Sequence, residues 1–156
     1  MKWVTRENAV VDRIACPWLI RRFIDREAEF LFVPVDQVAE VATGQQAIPF
    51  DVEGVELGHV AGRCSFESIL LKYDLTCDPG LAVVARVVHA ADVAADIDMV
   101  PEGRGLRAIA SGFRLMLGRD DRAKMELEFP LYDALYAWAS AQAPATAGAV
   151  APGRHA

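Results

Sequence analysis

Short apolar runs, separated by one helical segment, mark the beginning of the chain. The runs at residues 3–5 and 29–33 predict two strands, and residues 17–24 between them carry apolar side chains on almost every face of a predicted helix. A modest helix at residues 36–42 and an extended run at residues 47–52 follow. The order of strand, helix and strand is compatible with a small βαβ unit near the N-terminus.

Amphipathic stripes at helical spacing replace this pattern beyond residue 64. Three of the predicted helices begin at a capping residue or a proline, namely at Ser65, at Asp78-Pro79 and at Asp120 or Asp121. A further stripe includes Ile109 and Met116, and the last helical region, broken or restarted at Pro130, buries Trp138. The pattern predicts a helix-rich α+β domain, or alternatively α/β, with a small sheet in the N-terminal half and a C-terminal set of packed helices.

The composition is that of one folded domain. The chain has 156 residues, of which 53% are hydrophobic, and this suffices for a single core but not for a second domain of normal size. We expect the domain to occupy residues 1–140 and the Ala-, Pro- and Gly-rich residues 141–156 to form a disordered tail.

Charge and targeting signals narrow the classes of function. The formal net charge of -6 opposes binding of this chain alone to a nucleic-acid backbone. Three cysteines without a CxxC pair suit a reducing compartment better than a disulfide framework. The first residues lack an apolar signal core, and no segment is long enough to span a membrane. These features predict a cytoplasmic protein that does not act on a membrane.

The helix at residues 17–24 carries charges that a purely structural buried helix would not keep. Pro17 is predicted as the first helical residue, which makes Cys16 the cap, near backbone N–H groups that bind anions and lower a thiol pKa. A buried guanidinium needs a carboxylate or an anionic ligand. We expect Arg22 to be deeply packed against a carboxylate of residues 51–56, and Arg21 to face a ligand. Alternatively, Cys16 is a small buried hydrophobe and the arginines bond within the fold.

His59 lies in a glycine-flanked loop, and groups that bind metals surround it in the sequence. Cys64 and Glu67 follow at the start of a predicted helix, and two further candidates share one helix face. The predicted metal ligands are Asp51, His59, Glu67, His89 and Asp92, a set suited to Fe(II), Mn(II) or Zn(II). The alternative explanations are a hydrogen-bonded loop histidine, a Glu67 carboxylate that complements the helix dipole, and a helix-capping Asp92.

Several motifs, in the order of the chain, resemble a known family. The resemblance rests on DRIACPWLIRRFID, EFLFV, FDVEGVELGH, RCSFE, HAAD and LYDALYAW, which are similar to motifs of the chromate-resistance family. Members of this family occur alone or as the C-terminal part of a chromate-operon regulator. The resemblance runs from about Trp3 to Trp138 and implies a role in chromate resistance or chromate sensing.

Chromate is a tetrahedral dianion, and a pocket for it requires guanidinium groups and helix N-terminal amides. The predicted ligand-binding residues are Arg13, Cys16, Arg21, Arg63 and Cys64. The first hypothesis is therefore a domain that binds chromate or a related oxyanion as a sensory or effector module.

Two other classes of function stay open. One is a metal-dependent enzyme, for example one that removes superoxide, at the histidine and carboxylate site. The other is a module that forms a homodimer or docks onto a partner through its last region, where the aromatic residues exceed the needs of one helix face; they are Phe129, Tyr132, Tyr136 and Trp138.

Overall fold

A small parallel sheet forms the N-terminal part of the computed structural model, which describes residues 1–143. Strand β1 (Lys2–Arg6) lies in the middle, between β2 (Glu29–Val33) and β3 (Ile48–Pro49). Helix α1 (Asp12–Leu19) connects β1 to β2, and these two strands pair in parallel. The predicted βαβ unit is therefore confirmed.

Five more helices complete the domain: α2 (Val38–Gln45), α3 (Ser65–Lys72), α4 (Pro79–Asp92), α5 (Pro101–Leu117) and α6 (Asp121–Gln142). Helices α4, α5 and α6 pack against one another, and α6 also packs against α1. The small sheet joined to a set of C-terminal helices confirms the predicted α+β class. The part of the predicted tail from residue 144 onward lies outside the described residues. Within residues 1–143, no helix combines the length and the apolarity needed to cross a membrane.

The predicted start of the first helix is wrong. Helix α1 begins at Asp12, and Pro17 lies inside it. The missing N–H of a proline costs one helical hydrogen bond. The chain then continues as a π-helical turn at Ile20–Ile24, in which the N–H of Asp25 donates to the Ile20 carbonyl at 2.7 Å. This wider turn rotates the following side chains away from the positions that an ideal α-helix would give them.

Other element boundaries also differ from the prediction. Cys64, rather than Ser65, occupies the cap position of α3. Helix α6 runs without a break through Pro130, an exposed residue. The extended run predicted at residues 47–52 contributes only the two residues of β3 to the sheet. These differences shift the ends of elements but leave their order as predicted.

Trp18 lies in the centre of the core, where α1, α3 and α6 meet. Its ring stacks on Phe66 with centroids 6.4 Å apart and contacts Tyr132 at 5.9 Å. Its indole Nε1 donates to Asp133 Oδ1 at 2.8 Å, so the polar end of the buried ring is satisfied.

Part of the apolar stripe predicted for α5 faces solvent. Ile109 is 46% exposed and Met116 is 73% exposed, and Trp138 on α6 is 39% exposed. Helix α5 is buried only along a narrow line through Gly103, Leu106 and Ala110. Small residues allow α4 and α5 to approach so closely there that fewer large side chains are needed in the interface.

Candidate functional site

A cavity of about 810 Å³ opens where the three parallel strands end. Arg6 is the last residue of β1, Val35 follows β2 and Asp51 follows β3, and all three line the cavity. The first turn of α1, the end of α4 and one side of α5 supply the remaining walls. The carboxyl edge of a parallel sheet is the usual place for a ligand in such folds.

His59 lies over three carboxylates at the floor of this cavity. Its Nε2 atom lies 3.1 Å from Asp92 Oδ2, 3.4 Å from Asp12 Oδ2 and 3.4 Å from Asp51 Oδ1. Asp12 and Asp51 are buried, Asp92 is partly buried, and the His59 side chain is 48% exposed. The floor therefore combines fixed carboxylates with an accessible imidazole.

Asp12 joins the floor to the core. Its carboxylate accepts the backbone N–H groups of Ser65 at 2.7 Å and Phe66 at 3.1 Å, at the N-terminus of α3. The Cys16 thiol donates to the same carboxylate at 3.4 Å. Free N–H groups at a helix start stabilise a negative charge, so the fold holds this buried carboxylate in one orientation.

Burial or neighbouring charges raise the pKa values of Asp12, Asp92 and His59. Burial, followed by the neighbouring Asp12 and Asp51 charges, raises the pKa of Asp92 to about 6. Burial is also the largest cause that raises the pKa of Asp12. Hydrogen bonds to Asp12 and Asp51 raise the pKa of His59 to about 10, so the imidazole is protonated at neutral pH. The floor thus holds a protonated imidazole beside two carboxylates, Asp12 and Asp92, whose pKa values burial raises.

Contacts with Ser65 and Arg13 hold the Asp51 carboxylate in place. Its Oδ1 accepts the Ser65 hydroxyl at 2.7 Å, and Arg13 Nη1 lies 3.4 Å from Oδ2. Arg13 also donates to the carbonyl of Asn8 at 3.1 Å. The backbone of Asp51 adopts φ +48°, a left-handed conformation that aspartate tolerates better than most residues. This turn directs the carboxylate back under the cavity.

Three arginines form the outer wall of the cavity. Arg6 comes from β1, whereas Arg107 and Arg114 lie two turns apart on α5, and all three are exposed. Among residues 1–143, none of the three has an ion-pair or hydrogen-bond partner. Their positive charge is available to a ligand in the cavity.

A second cluster, around His89, lies beside the first one. His89 Nδ1 lies 2.7 Å from Glu67 Oε2, and His89 Nε2 lies 2.7 Å from Asp96 Oδ2. Glu67 Oε2 also accepts the backbone N–H of Cys64 at 2.8 Å, which caps α3. The five residues predicted as one metal site are therefore divided: His59, Asp51 and Asp92 meet at the cavity, and His89 and Glu67 meet in the second cluster.

The predicted anion ligands are also dispersed. Arg13 lines the cavity, whereas Arg21 and Arg63 do not. Cys16 is fully buried inside α1, and burial raises its pKa, so the prediction of a helix-capping thiol with a lowered pKa is wrong. Cys64 is buried as well, and burial raises the pKa of its thiol.

The predicted burial of Arg21 and Arg22 is wrong. Arg22 is exposed, and its Nε and Nη2 atoms pair with Asp133 at 2.9 Å, not with residues 51–56. Arg21 is the more buried of the two, and its Nη2 donates to the Ala28 carbonyl at 2.7 Å. Its guanidinium also lies 5.1 Å from the centre of the Phe30 ring. Both residues lie in the π-helical turn at Ile20–Ile24.

Sequence reasoning missed five charged residues that line the cavity: Arg6, Asp12, Glu53, Arg107 and Arg114. A usable signal existed for the first two, because parallel strands place the residues that follow them at one edge of the sheet. No comparable signal marks Arg107 and Arg114, which have the pattern of ordinary surface residues on an amphipathic helix.

The aromatic residues that suggested self-association belong mostly to the domain's own core. Phe129 and Tyr132 are buried, and Tyr136 packs against Trp18 and Phe23. Of these four aromatic residues, Trp138 alone is exposed. The excess of aromatic side chains on which that hypothesis depended is therefore largely used inside the fold.

Comparison with known proteins agrees with the motifs. A family model described as the C-terminal domain of ChrB matches residues 3–139. Protein ChrB of Cupriavidus metallidurans is 40% identical over 136 residues, which are 86% of this chain and 40% of that protein. No solved structure matches the chain significantly.

These matches define the class of the protein as a chromate-resistance domain. The chain belongs to the ChrB C-terminal domain family, and it spans about two fifths of the length of the curated relative that it matches.

Proposed function

We propose that this domain binds chromate or a related tetrahedral oxyanion in the cavity at the carboxyl end of the sheet, as a sensory or effector module. The observation that carries the proposal is the outer wall, where Arg6, Arg107 and Arg114 face one cavity without partners among residues 1–143. Guanidinium groups match the oxygen atoms of a tetrahedral dianion in both charge and geometry.

The protonated His59 supports the same assignment. Its exposed imidazole adds a positive charge to the cavity that the arginines line, while its Nε2 atom faces the carboxylates of the floor. An anion would therefore lie on the arginine side of His59, separated from Asp12 and Asp51, because a direct contact with those carboxylates would be repulsive.

Binding is favoured over reduction of chromate. The thiols nearest to the cavity, Cys16 and Cys64, are buried and have raised pKa values, and a protonated thiol is a poor nucleophile and reductant. Cys77 is exposed, but it does not line the cavity. A module that senses an anion also benefits from not being consumed by it.

The experiment compares arginines on one helix. Arg107→Gln and Arg114→Gln remove charge from the cavity, whereas Arg104→Gln removes an exposed arginine of α5 that pairs with Asp98 and does not line the cavity. A Cys77→Ser background removes the exposed thiol, so that thiol cannot reduce chromate during the measurement. Chromate, sulfate and molybdate are titrated while binding heat and melting temperature are followed.

We expect chromate to raise the melting temperature of the parent protein, because a ligand of the native state stabilises it by about 2.7 kcal/mol at a hundredfold excess over its Kd. Arg107→Gln and Arg114→Gln should each weaken binding by roughly tenfold, while Arg104→Gln should not. The proposal fails if none of the three anions shifts the melting temperature, or if the Arg104 variant loses as much affinity as the other two.

A further inference from the structure

The floor of the cavity has the composition and spacing of a metal site. We infer that Asp12, Asp51, His59 and Asp92 bind a divalent first-row transition ion, Mn²⁺ or Fe²⁺. This inference deepens the proposed function, because the ion would lie next to the bound anion. The metal site itself does not depend on the proposed function; only an effect of the ion on anion binding rests on it.

The donor atoms are already separated as adjacent metal ligands are. His59 Nε2 lies 3.1–3.4 Å from one oxygen of each of the three carboxylates. Metal–ligand bonds of about 2.1 Å place neighbouring ligands about 3.0 Å apart in an octahedron and about 3.4 Å apart in a tetrahedron. One atom each from Asp12, His59 and Asp92 all lie within 4.8 Å of one another. Asp12, His59 and Asp92 therefore converge on one point, and Asp51 joins them through its contact with His59.

The three carboxylates of the cluster carry more negative charge than one imidazolium can balance, so the cluster favours a divalent cation. Three carboxylates converge on one histidine, and Arg13 contacts just one of them, Asp51. The backbone N–H groups of α3 and the Ser65 hydroxyl orient Asp12 and Asp51 from behind, as second contacts do in metal sites. His59 belongs to an exposed loop, and its Nε2 atom already faces all three carboxylates, so the ring is placed to supply a fourth ligand.

The mixture of donors selects the kind of ion. Carboxylates suit Mg²⁺, Ca²⁺ and Mn²⁺, whereas an imidazole favours Fe, Zn and other transition metals. Three carboxylates with a single imidazole form a mixed set, for which we choose Mn²⁺ from the first group and Fe²⁺ from the second. The arginine side of the cavity stays open, which leaves coordination positions for water or for an oxygen atom of the anion.

The second cluster also brings possible ligand atoms together, from Cys64, Glu67 and His89, but it is less suited to an ion. Both nitrogens of His89 are already engaged, by Glu67 and by Asp96, at 2.7 Å. His89 is buried, and it does not line the cavity. This cluster therefore serves as a matched control, because it contains the same residue types within the same domain.

The test uses the full chain without an affinity tag, stripped with a chelator and titrated with Mn²⁺ while free Mn²⁺ is followed by electron paramagnetic resonance. Parallel titrations use Fe²⁺ without oxygen. His59→Gln and Asp92→Asn alter the proposed site, and Asp96→Asn alters the His89 cluster. Thermal melts establish that each variant is folded, and His59, half exposed, is the substitution that the fold tolerates best.

We expect saturable binding of a single ion per chain, weakened at least about tenfold by His59→Gln and by Asp92→Asn and unchanged by Asp96→Asn. The inference is overturned if neither ion binds, or if the His59 and Asp92 variants bind as the parent does. Chromate titrations with and without Mn²⁺ separate the two proposals: anion binding without metal binding refutes the metal site alone, and metal binding without anion binding refutes the proposed function alone.

Discussion

Glu128 should make the stability of this domain fall as the pH rises. The side chain is 1% exposed on α6, and neither carboxylate oxygen has a partner among residues 1–143. Burial raises its pKa from the ordinary 4.5 to about 8, although the neighbouring Lys124 opposes the shift. Lys124 donates instead to Asp121 at 3.0 Å and to the Ala9 carbonyl, so its charge is already compensated.

The magnitude follows from proton linkage. Above pH 4.5 the unfolded chain loses the Glu128 proton, whereas the folded chain keeps it up to about pH 8. The folded state then binds more protons, so the free energy of unfolding falls by about 1.4 kcal/mol per pH unit. At about pH 7 the accumulated loss is about 3 kcal/mol. This loss of stability is absent below pH 4.5, the pKa of Glu128 in the unfolded chain, and it is complete above about pH 8, the pKa of Glu128 in the folded chain.

Glu128→Gln removes this linkage while keeping the shape of the side chain. We expect the variant to match the parent near pH 4.5 and to be more stable at about pH 7 by about 3 kcal/mol, or roughly 6–12 °C in melting temperature. Urea denaturation across this pH range measures the difference. Glu126→Gln, an exposed position on the same helix, is the control. If the difference between the Glu128 variant and the parent does not grow with pH, the carboxylate is not buried as described.

Two further pairs of substitutions test the packing. Gly103→Ala should lower the free energy of unfolding by about 1–3 kcal/mol, since the new Cβ would lie 2.6 Å from the Ala90 Cβ. The Cβ of Gly105→Ala meets nothing within 4 Å, so this variant should gain up to about 1 kcal/mol of helix stability. Chemical denaturation of both variants measures the difference. Arg21→Ala should cost about 1–2 kcal/mol and Arg22→Ala about 0–1 kcal/mol, because Arg22 forms an exposed pair with Asp133; equal losses would contradict this assignment.

Elements with strong local signals were predictable from the sequence. The start of α4 at Pro79 follows from the cap residue Asp78, whose carboxylate accepts the N–H of Leu81 at 2.9 Å. Helix α6 likewise begins after the capping Asp120. The strand at Glu29–Val33 has the predicted bounds. For the two helices a few neighbouring residues determine where the element begins, whereas the strand has a local apolar run and also pairs with β1.

The misplaced features depend on distant contacts. Whether Pro17 starts a helix or lies inside one depends on Asp12, whose carboxylate pairs with the start of α3 more than fifty residues away. The division of the predicted metal ligands between two clusters depends on how α4 packs, because His89 and Asp92 share a helix and still face different partners. Periodicity places residues on a face, and only packing decides what that face meets.

The floor and the outer wall of the cavity are constrained in different ways. Asp12 and Asp51 hold α3 and the loop after β3 in place, so their replacement changes the fold together with the site. Arg107 and Arg114 contact no partner among residues 1–143, and they contribute charge to the cavity without supporting the fold. Loss of ligand binding in the arginine variants therefore reports on the ligand itself, whereas the same loss at Asp12 would not distinguish a missing contact from a displaced helix.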